Sequence, residues 1–186
     1  MRLGLLLHAS LATVTGPLDA RCQGAIFTRD NDSNVFGFAG TGSALWEYPG
    51  TSMQWNNVSS IAYNTLPEEM WNFTVYGEKV IATNYTDPIQ QYNLGASTIF
   101  TSLSADAPKA RYITVVKDFV MLANTNDSVD GPVPQRVWWS AIDDPTTWPT
   151  PGTILAAELL SDYNDLAGDG GWNQGIVGGL SGADVI

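Results

Sequence analysis

The residues of this chain that could do chemistry are few and far apart in the sequence. There is one histidine, His8, and one cysteine, Cys22. A Ser-His-Asp hydrolase would need that histidine as its base, but His8 lies in an N-terminal segment far from any organised acid. One cysteine allows neither a disulfide framework nor a cysteine-based metal site. No phosphate-cradling glycine loop precedes a Lys-Ser/Thr pair. The sequence therefore predicts a protein that is not an enzyme.

Carboxylates that lie close together in the sequence are the next candidates for catalysis. The three pairs are Glu68 with Glu69, Asp143 with Asp144, and Asp162 with Asp165. Neighbouring side chains on an extended segment point in opposite directions. A glycosidase instead needs two carboxyl groups that face each other across a sugar. We interpret these pairs as turn residues.

Acidic and amide side chains also cluster in three segments that have some features of calcium loops. These segments contain Asp30, Asp32 and Asn34; Asn124, Asn126, Asp127 and Asp130; and Asp162, Asn164, Asp165 and Asp169. Calcium binds oxygens that converge on one point. None of the segments has the closing Glu of an EF-hand, and Asx-turns use the same residues. We therefore expect no metal and no cofactor, with the third segment as the best calcium candidate.

The most distinctive stretch runs from Arg136 to Gly152 and reads RVWWSAIDDPTTWPTPG. Its β-branched and aromatic residues favour a half-buried strand up to Ile142. The chain then turns, because Asp side chains bond backbone amides and Pro fixes φ. We predict that this strand runs into a rigid structural loop. The residues concerned are Trp138, Trp139, Asp143, Asp144, Pro145 and Trp148.

Composition and charge limit the function classes. The chain has 19 acidic and 8 basic side chains, a net charge of −11, and no Lys or Arg from Val137 to Ile186. Such a surface gains none of the counterion-release affinity of a nucleic-acid-binding protein. Sequence-specific DNA or RNA binding is therefore not expected. The 18 Gly and 10 Pro, with only 15% charged residues, indicate many turns and hence β structure.

The spacing of hairpin turns predicts the architecture. Turns fall near Asp32, Gly77 and Lys117, and intervals of about 40 to 45 residues are typical of four-stranded propeller blades. The strands of the third unit are apolar on both faces, which indicates cover on both sides. We predict an all-β, β-propeller-like fold of four-stranded antiparallel blades, incomplete at the C-terminus. A β-sandwich is the alternative. The predicted blades cover residues 21–62, 68–105, 110–150 and, in part, 172–186.

The first 20 residues are predicted to form an N-terminal arm. They begin like a signal peptide, but His8 and Ser10 interrupt the apolar run and no Ala-x-Ala site follows. The run is also too short to span a membrane. We expect an arm that docks on its own core or on a neighbour. The last strand would leave an open edge, covered either by later blades of a longer protein or by another chain.

Four sequence segments carry a resemblance to a known family. They read ARYITVVKDFVMLANT (110–125), RVWWSAIDDPTTW (136–148), SDYNDL (161–166) and GWNQGIVGG (171–179). Residues 21–41 and 71–84 match less specifically. Together these segments resemble the tail-nozzle proteins of tailed bacteriophages, which include the packaged-DNA stabilisation proteins of short-tailed phages. Members of that family are much longer than this chain, and the N-terminal arm matches them poorly.

The resemblance implies a structural virion protein of the viral tail, made in the host cytoplasm, and it offers no catalytic residues. Such a protein forms a homo-oligomeric ring, with a hexamer as one option, at the head-tail connector or nozzle. Its expected partners are the portal or adaptor, other tail proteins, and double-stranded DNA that passes through the channel during DNA ejection; no membrane is involved. Two other functions stay open. The tryptophans and the signal-like start would suit a secreted, lectin-like carbohydrate-binding propeller, and the acidic loops a calcium-stabilised adhesion module.

Overall fold

A computed structural model describes residues 15–48, 50, 52–166, 168 and 171–178 of the chain. Within these residues the protein is all-β, as predicted, with one short helix. The elements are β1 Gly24–Arg29, β2 Val35–Gly40, β3 Leu45–Tyr48, β4 Asn56–Asn57, β5 Asn72–Tyr76, β6 Lys79–Thr83, β7 Gln90–Asn93, β8 Thr101–Ser102, β9 Lys109–Val116, β10 Phe119–Asp127, β11 Gly131–Trp139, α1 Ile154–Glu158 and β12 Asp162–Asp165.

The strands form three four-stranded antiparallel sheets. The first sheet contains β1 to β4, the second β5 to β8 and the third β9 to β12, and each strand pairs with the next one along the chain. This order confirms the predicted four-stranded antiparallel units. In the described part of the chain, no helix is long and apolar enough to cross a membrane.

Tight turns begin the second and third sheets where the sequence predicted them. Tyr76 pairs with Lys79 around one turn, and Val116 pairs with Phe119 around the other. Both turns contain a residue with positive φ. It is Gly77, at 57°, in the second sheet and Lys117, at 51°, in the third. Glycine takes this conformation without steric cost, whereas a side chain at that position is strained.

The first and second sheets interlock through Trp71. A Cβ atom at Gly24 would lie 2.1 Å from the Trp71 carbonyl oxygen, and one at Gly40 would lie 2.2 Å from Trp71 Cδ1. Only glycine permits this approach. The indole Nε1 donates to the Thr41 carbonyl at 2.9 Å. Trp71 therefore packs directly against the first sheet, at two positions where only glycine leaves enough space.

The second and third sheets meet in a similar way. Asn72 Nδ2 donates to the Arg111 carbonyl at 3.0 Å, and Thr83 Oγ1 donates to the Ala110 carbonyl at 2.5 Å. β1 lies beside β5, and β5 lies beside β9. The first strands of the three sheets are therefore neighbours. Residues 122–125 of β10, in the third sheet, are all buried, which agrees with the expectation of strands covered on both faces.

Two apolar cores fill the spaces between the sheets. The core between the first and second sheets contains Phe38, Leu45, Val58, Tyr63, Trp71, Val80, Ala82, Tyr92, Leu94 and Phe100. The core between the second and third sheets contains Ile81, Ile89, Leu103, Ala110, Ile113, Val120, Leu122, Trp138 and Trp148.

The C-terminal boundaries differ from the predicted ones. The third sheet extends through β12 to Asp165, beyond residue 150 at which the predicted third blade ends. The incomplete fourth blade was predicted for residues 172–186, but residues 172–178 are not strand, and 179–186 lie outside the described residues. Of the predicted arm, the structure describes only residues 15–20. In this part, Gly16 N donates to the Met53 carbonyl at 2.8 Å.

Candidate functional site

The most charged site of the described structure is centred on Arg136 of β11, whose side chain is 4% exposed. Its Nε and Nη2 atoms donate to the two oxygens of Asp165 on β12, at 2.7 and 3.0 Å. Nη1 donates to Asp127 at 3.0 Å and to Asp130 at 2.7 Å, both at the tip of the β10–β11 hairpin. The guanidinium also lies 3.7 Å from the ring centroid of Tyr163. We call these residues the Arg136 cluster.

Electrostatics favour the ionised forms of Arg136 and Asp165. The hydrogen bond from Arg136 lowers the pKa of Asp165, although partial burial opposes the shift. The hydrogen bond to Asp165 likewise raises the pKa of the Arg136 guanidinium above its ordinary value, against the effect of burial. Two-point contact between a guanidinium and a carboxylate is among the strongest charged hydrogen bonds in proteins. The cluster therefore ties β12 and the β10–β11 hairpin to β11.

The Arg136 cluster uses carboxylates from two of the segments that were considered as calcium candidates. Two of the three candidate segments supply their oxygens to a guanidinium instead of a cation: Asp127 and Asp130 from one, and Asp165 from the other. Asp162 and Asn164 alternate with Tyr163 and Asp165 along β12, so they point to the opposite, exposed side. Asp169 lies outside the described residues. Among the residues that the structure describes, no three His, Cys, Asp or Glu side chains converge as metal ligands.

The loop from Asp143 to Trp148 is closed by its own hydrogen bonds. Asp144 Oδ1 accepts from the Thr146 backbone N–H at 2.8 Å, and Oδ2 accepts from the Thr147 hydroxyl at 2.6 Å. Burial alone would raise the pKa of Asp144, but the hydrogen bonds outweigh it and lower the pKa. Asp143 has a φ of 57°, a conformation that Asp tolerates better than most residues. The carboxylate of Asp144 holds the turn by its bonds to Thr146 and Thr147.

The tryptophans of this region are mostly structural. Trp138 and Trp148 are only 8% and 3% exposed and belong to the core between the second and third sheets. Trp148 Nε1 donates to the Pro145 carbonyl at 2.9 Å, and Trp139 Nε1 donates to a backbone carbonyl at 2.8 Å. Trp172 is 69% exposed. Stacking on a sugar needs an open ring face, which neither Trp138 nor Trp148 offers.

In the remaining carboxylate pair, Glu68 with Glu69, one member is engaged by an arginine. Glu69 is buried and forms an ion pair with Arg111 at 2.8 Å. Burial raises the pKa of Glu69, although the attraction of Arg111 opposes this. Cys22 is free and exposed, and His8 lies outside the described residues.

A cleft of about 830 Å³ lies beside the Arg136 cluster, between the second and third sheets. One wall is β8 and its connection to β9, and the opposite wall is formed by Arg136, Trp138 and Tyr163. We call it the inter-sheet cleft. The size is in the range of ligand pockets.

Sequence reasoning missed the Arg136 cluster, although a signal was present. Arg136 is a lone charge at the start of an apolar strand, and a buried arginine requires acidic partners. Asp127, Asp130 and Asp165, from two of the segments considered as calcium candidates, are those partners. The chain matches no protein-family model, and a search of curated proteins finds no match.

Proposed function

We propose that the protein is a structural component of a bacteriophage tail nozzle or head-to-tail connector. Its three sheets act as consecutive blades of a β-propeller, several copies form a ring below the portal, and the ring retains packaged DNA and passes it during ejection. The protein has no catalytic role. The observation that carries the proposal is the threefold repetition of one four-stranded unit with the first strands side by side.

The positions of the first strands support the propeller. β1, β5 and β9 begin at residues 24, 72 and 109. In a propeller the first strand of every blade lies next to the central axis, so consecutive first strands are neighbours. The hairpin turns of successive sheets are also neighbours, because Asn31 N donates to Glu78 Oε1 at 3.1 Å and Tyr76 Oη donates to the Asp118 carbonyl at 3.3 Å. A β-sandwich with two facing sheets would not repeat these contacts.

The segment after β12 supports a further blade. Asn173 N donates to the Pro134 carbonyl at 3.0 Å, at one end of the third sheet. Five residues later, a Cβ atom at Gly178 would lie 2.3 Å from the Val115 carbonyl, near the other end of β9. The segment therefore leads from β11 to β9. We propose that a fourth blade begins beside β9, as β5 lies beside β1.

Charge supports a channel that DNA slides through. The net charge is −11, and a wall of the same sign as the phosphates binds DNA weakly. Arg136 and Asp144 also each hold a loop by several hydrogen bonds. Held loops and weak DNA affinity are what a retaining channel requires.

Location in the virion tests this proposal. The gene is tagged in the virus that encodes it, virions are purified, and gold-labelled antibody against the tag is imaged by electron microscopy. We expect label at the portal vertex only, and no retention of double-stranded DNA by the purified protein at physiological salt. Untagged virions are the control. A protein that stays free and monomeric in the infected cell, and is absent from virions, contradicts the proposal.

A further inference from the structure

The outer side of the first sheet carries a row of exposed apolar side chains. Phe27 and Val35 lie on this side and are 62% and 59% exposed. The Tyr48 ring lies 6.1 Å from the Phe27 ring, centroid to centroid, and the Trp55 ring lies 5.5 Å from that of Tyr48. Met53, whose sulfur accepts from the Tyr48 hydroxyl, is 44% exposed. We call these five residues the open face. Contiguous apolar surface of this kind marks an interaction site.

The corresponding side of the other two sheets is buried. Each sheet has a rung of three paired residues on this side, with an aromatic residue on its third strand. The rungs are Phe27, Gly37 and Tyr48; Val75, Val80 and Tyr92; and Ile113, Leu122 and Trp138. The second rung packs against the first sheet, and the third rung packs against the second sheet. The first rung has the same arrangement, but in the part of the chain that the structure describes it has no sheet against it.

The Phe27 ring gives the open face a flat centre. A Cβ atom at Gly37 would lie 2.5 Å from Phe27 Cε1, so the ring lies directly over the glycine. One side of the ring therefore rests on the sheet, and the exposed part belongs to the other side. A second sheet can pack against that side as the first sheet packs against Tyr92.

The two junctions inside the chain indicate the partner. In both, the side described above contacts the opposite side of the preceding sheet, which we call its far face. The far face is apolar: it carries Ile26 and Phe38 in the first sheet and Ile81 in the second. In the third sheet, Phe119 and Met121 are half-buried on the same side. Each copy of the chain thus has both halves of the junction. Contacts of this head-to-tail type link identical copies into rings when the rotation closes.

We propose that the open face binds a second copy of this chain, which covers it with the far face of the sheet that ends its own stack. Copies then join by the same kind of junction that joins successive sheets within one copy. The proposal rests on the proposed ring of copies and names its contact surface. A chain that is monomeric when purified but is labelled at the portal vertex would refute this contact and leave the proposed location intact.

Sedimentation velocity of the purified chain tests the contact. We expect reversible self-association that increases with concentration. Burying one phenylalanine side chain favours association by about tenfold to a hundredfold, so Phe27→Glu should weaken it by at least about tenfold. Val35→Glu places a charge on the same face at a second exposed position and should act in the same direction. Val129→Glu makes the identical change at an 86% exposed position between β10 and β11, and it should associate as the parent does.

A mixing experiment separates a head-to-tail contact from a symmetric one. A fluorescently tagged Phe27→Glu chain has lost its open face but keeps its far faces, so it should still co-sediment with an excess of the parent. Urea denaturation checks folding, and where Phe27→Glu lowers the midpoint, Val35→Glu takes its place in the mixture. A parent that stays monomeric at every concentration, variants that associate as the parent does, or a tagged variant that does not co-sediment with the parent overturns the proposal.

Discussion

Replacing Arg136 by Met should destabilise the protein strongly. The change keeps much of the side-chain volume but leaves Asp127, whose side chain is 7% exposed, without its cation. Removing one partner of a buried ion pair costs about 3–5 kcal/mol, because the other charge stays buried. The side chains of Asp130 and Asp165 are 46% and 33% exposed. They contribute little to the loss of stability, since water screens their charges. We therefore expect a loss of about 3–5 kcal/mol in the free energy of unfolding, most of it from Asp127.

Urea denaturation followed by tryptophan fluorescence measures this loss. The midpoint should fall while the slope stays unchanged, which indicates a change in stability and not in the denatured state. Arg136→Lys keeps the charge but not the two-point geometry, so its midpoint should lie between those of the parent and Arg136→Met. Arg29 is exposed and has no ion pair in the described part of the chain. Arg29→Met is therefore the matched control and should change stability by no more than about 0.5 kcal/mol.

The loss of stability in Arg136→Met should depend on pH. Arg136 lowers the pKa of Asp165 in the folded state. The stability that this ion pair contributes is therefore complete above the unfolded pKa of Asp, about 3.9, and is lost as pH falls through the folded pKa. The difference between the parent and Arg136→Met should therefore be constant near pH 7 and shrink below about pH 4. A midpoint for Arg136→Met equal to that of Arg29→Met at pH 7 would refute the role of Arg136.

Three further predictions concern packing and titration. Trp148→Ala should lower the free energy of unfolding by about 3–5 kcal/mol because it empties a core site, whereas Trp172→Ala at an exposed site should be nearly neutral; thermal melts measure both. Gly40→Ala should lower it by about 1–3 kcal/mol because its Cβ would overlap Trp71, while Gly175→Ala, with open space around it, should not. Burial raises the pKa values of Tyr92 and Tyr63 to about 12. The stabilising contribution of Tyr92 is therefore complete below pH ~10 and is lost as pH rises through its folded pKa. Ultraviolet titration should show late-titrating tyrosines, and Tyr92→Phe should remove one of them.

The sequence predicted best what local chemistry decides. The predicted turns near Gly77 and Lys117 lie where the sequence indicated, because the residues of a tight turn fix where the returning strand starts. Gly77 and the Lys117-Asp118 pair mark two-residue turns by residue type alone. The four-stranded units followed from the spacing of those turns. No contact beyond the hairpin itself was needed for these predictions.

The sequence failed where a distant contact decides the structure. Residues 162–165 read Asp-Tyr-Asn-Asp, a polar run with low β-propensity, and no strand was predicted there. They form β12 because Arg136 lies 29 positions earlier and bonds Asp165 across the ladder. The inter-sheet cleft likewise could not be predicted from the sequence, since residues from two different sheets line it. Strand length at a sheet edge is set by its neighbours and not by its own residues.

A cryo-electron microscopy reconstruction of the portal vertex in purified virions tests the central claim most directly. The account predicts a ring of density in which the three sheets are consecutive blades about one axis, with β1, β5 and β9 innermost and residues 173–178 beside β9. Density in which these strands form two facing sheets, or a vertex without this protein, would contradict it.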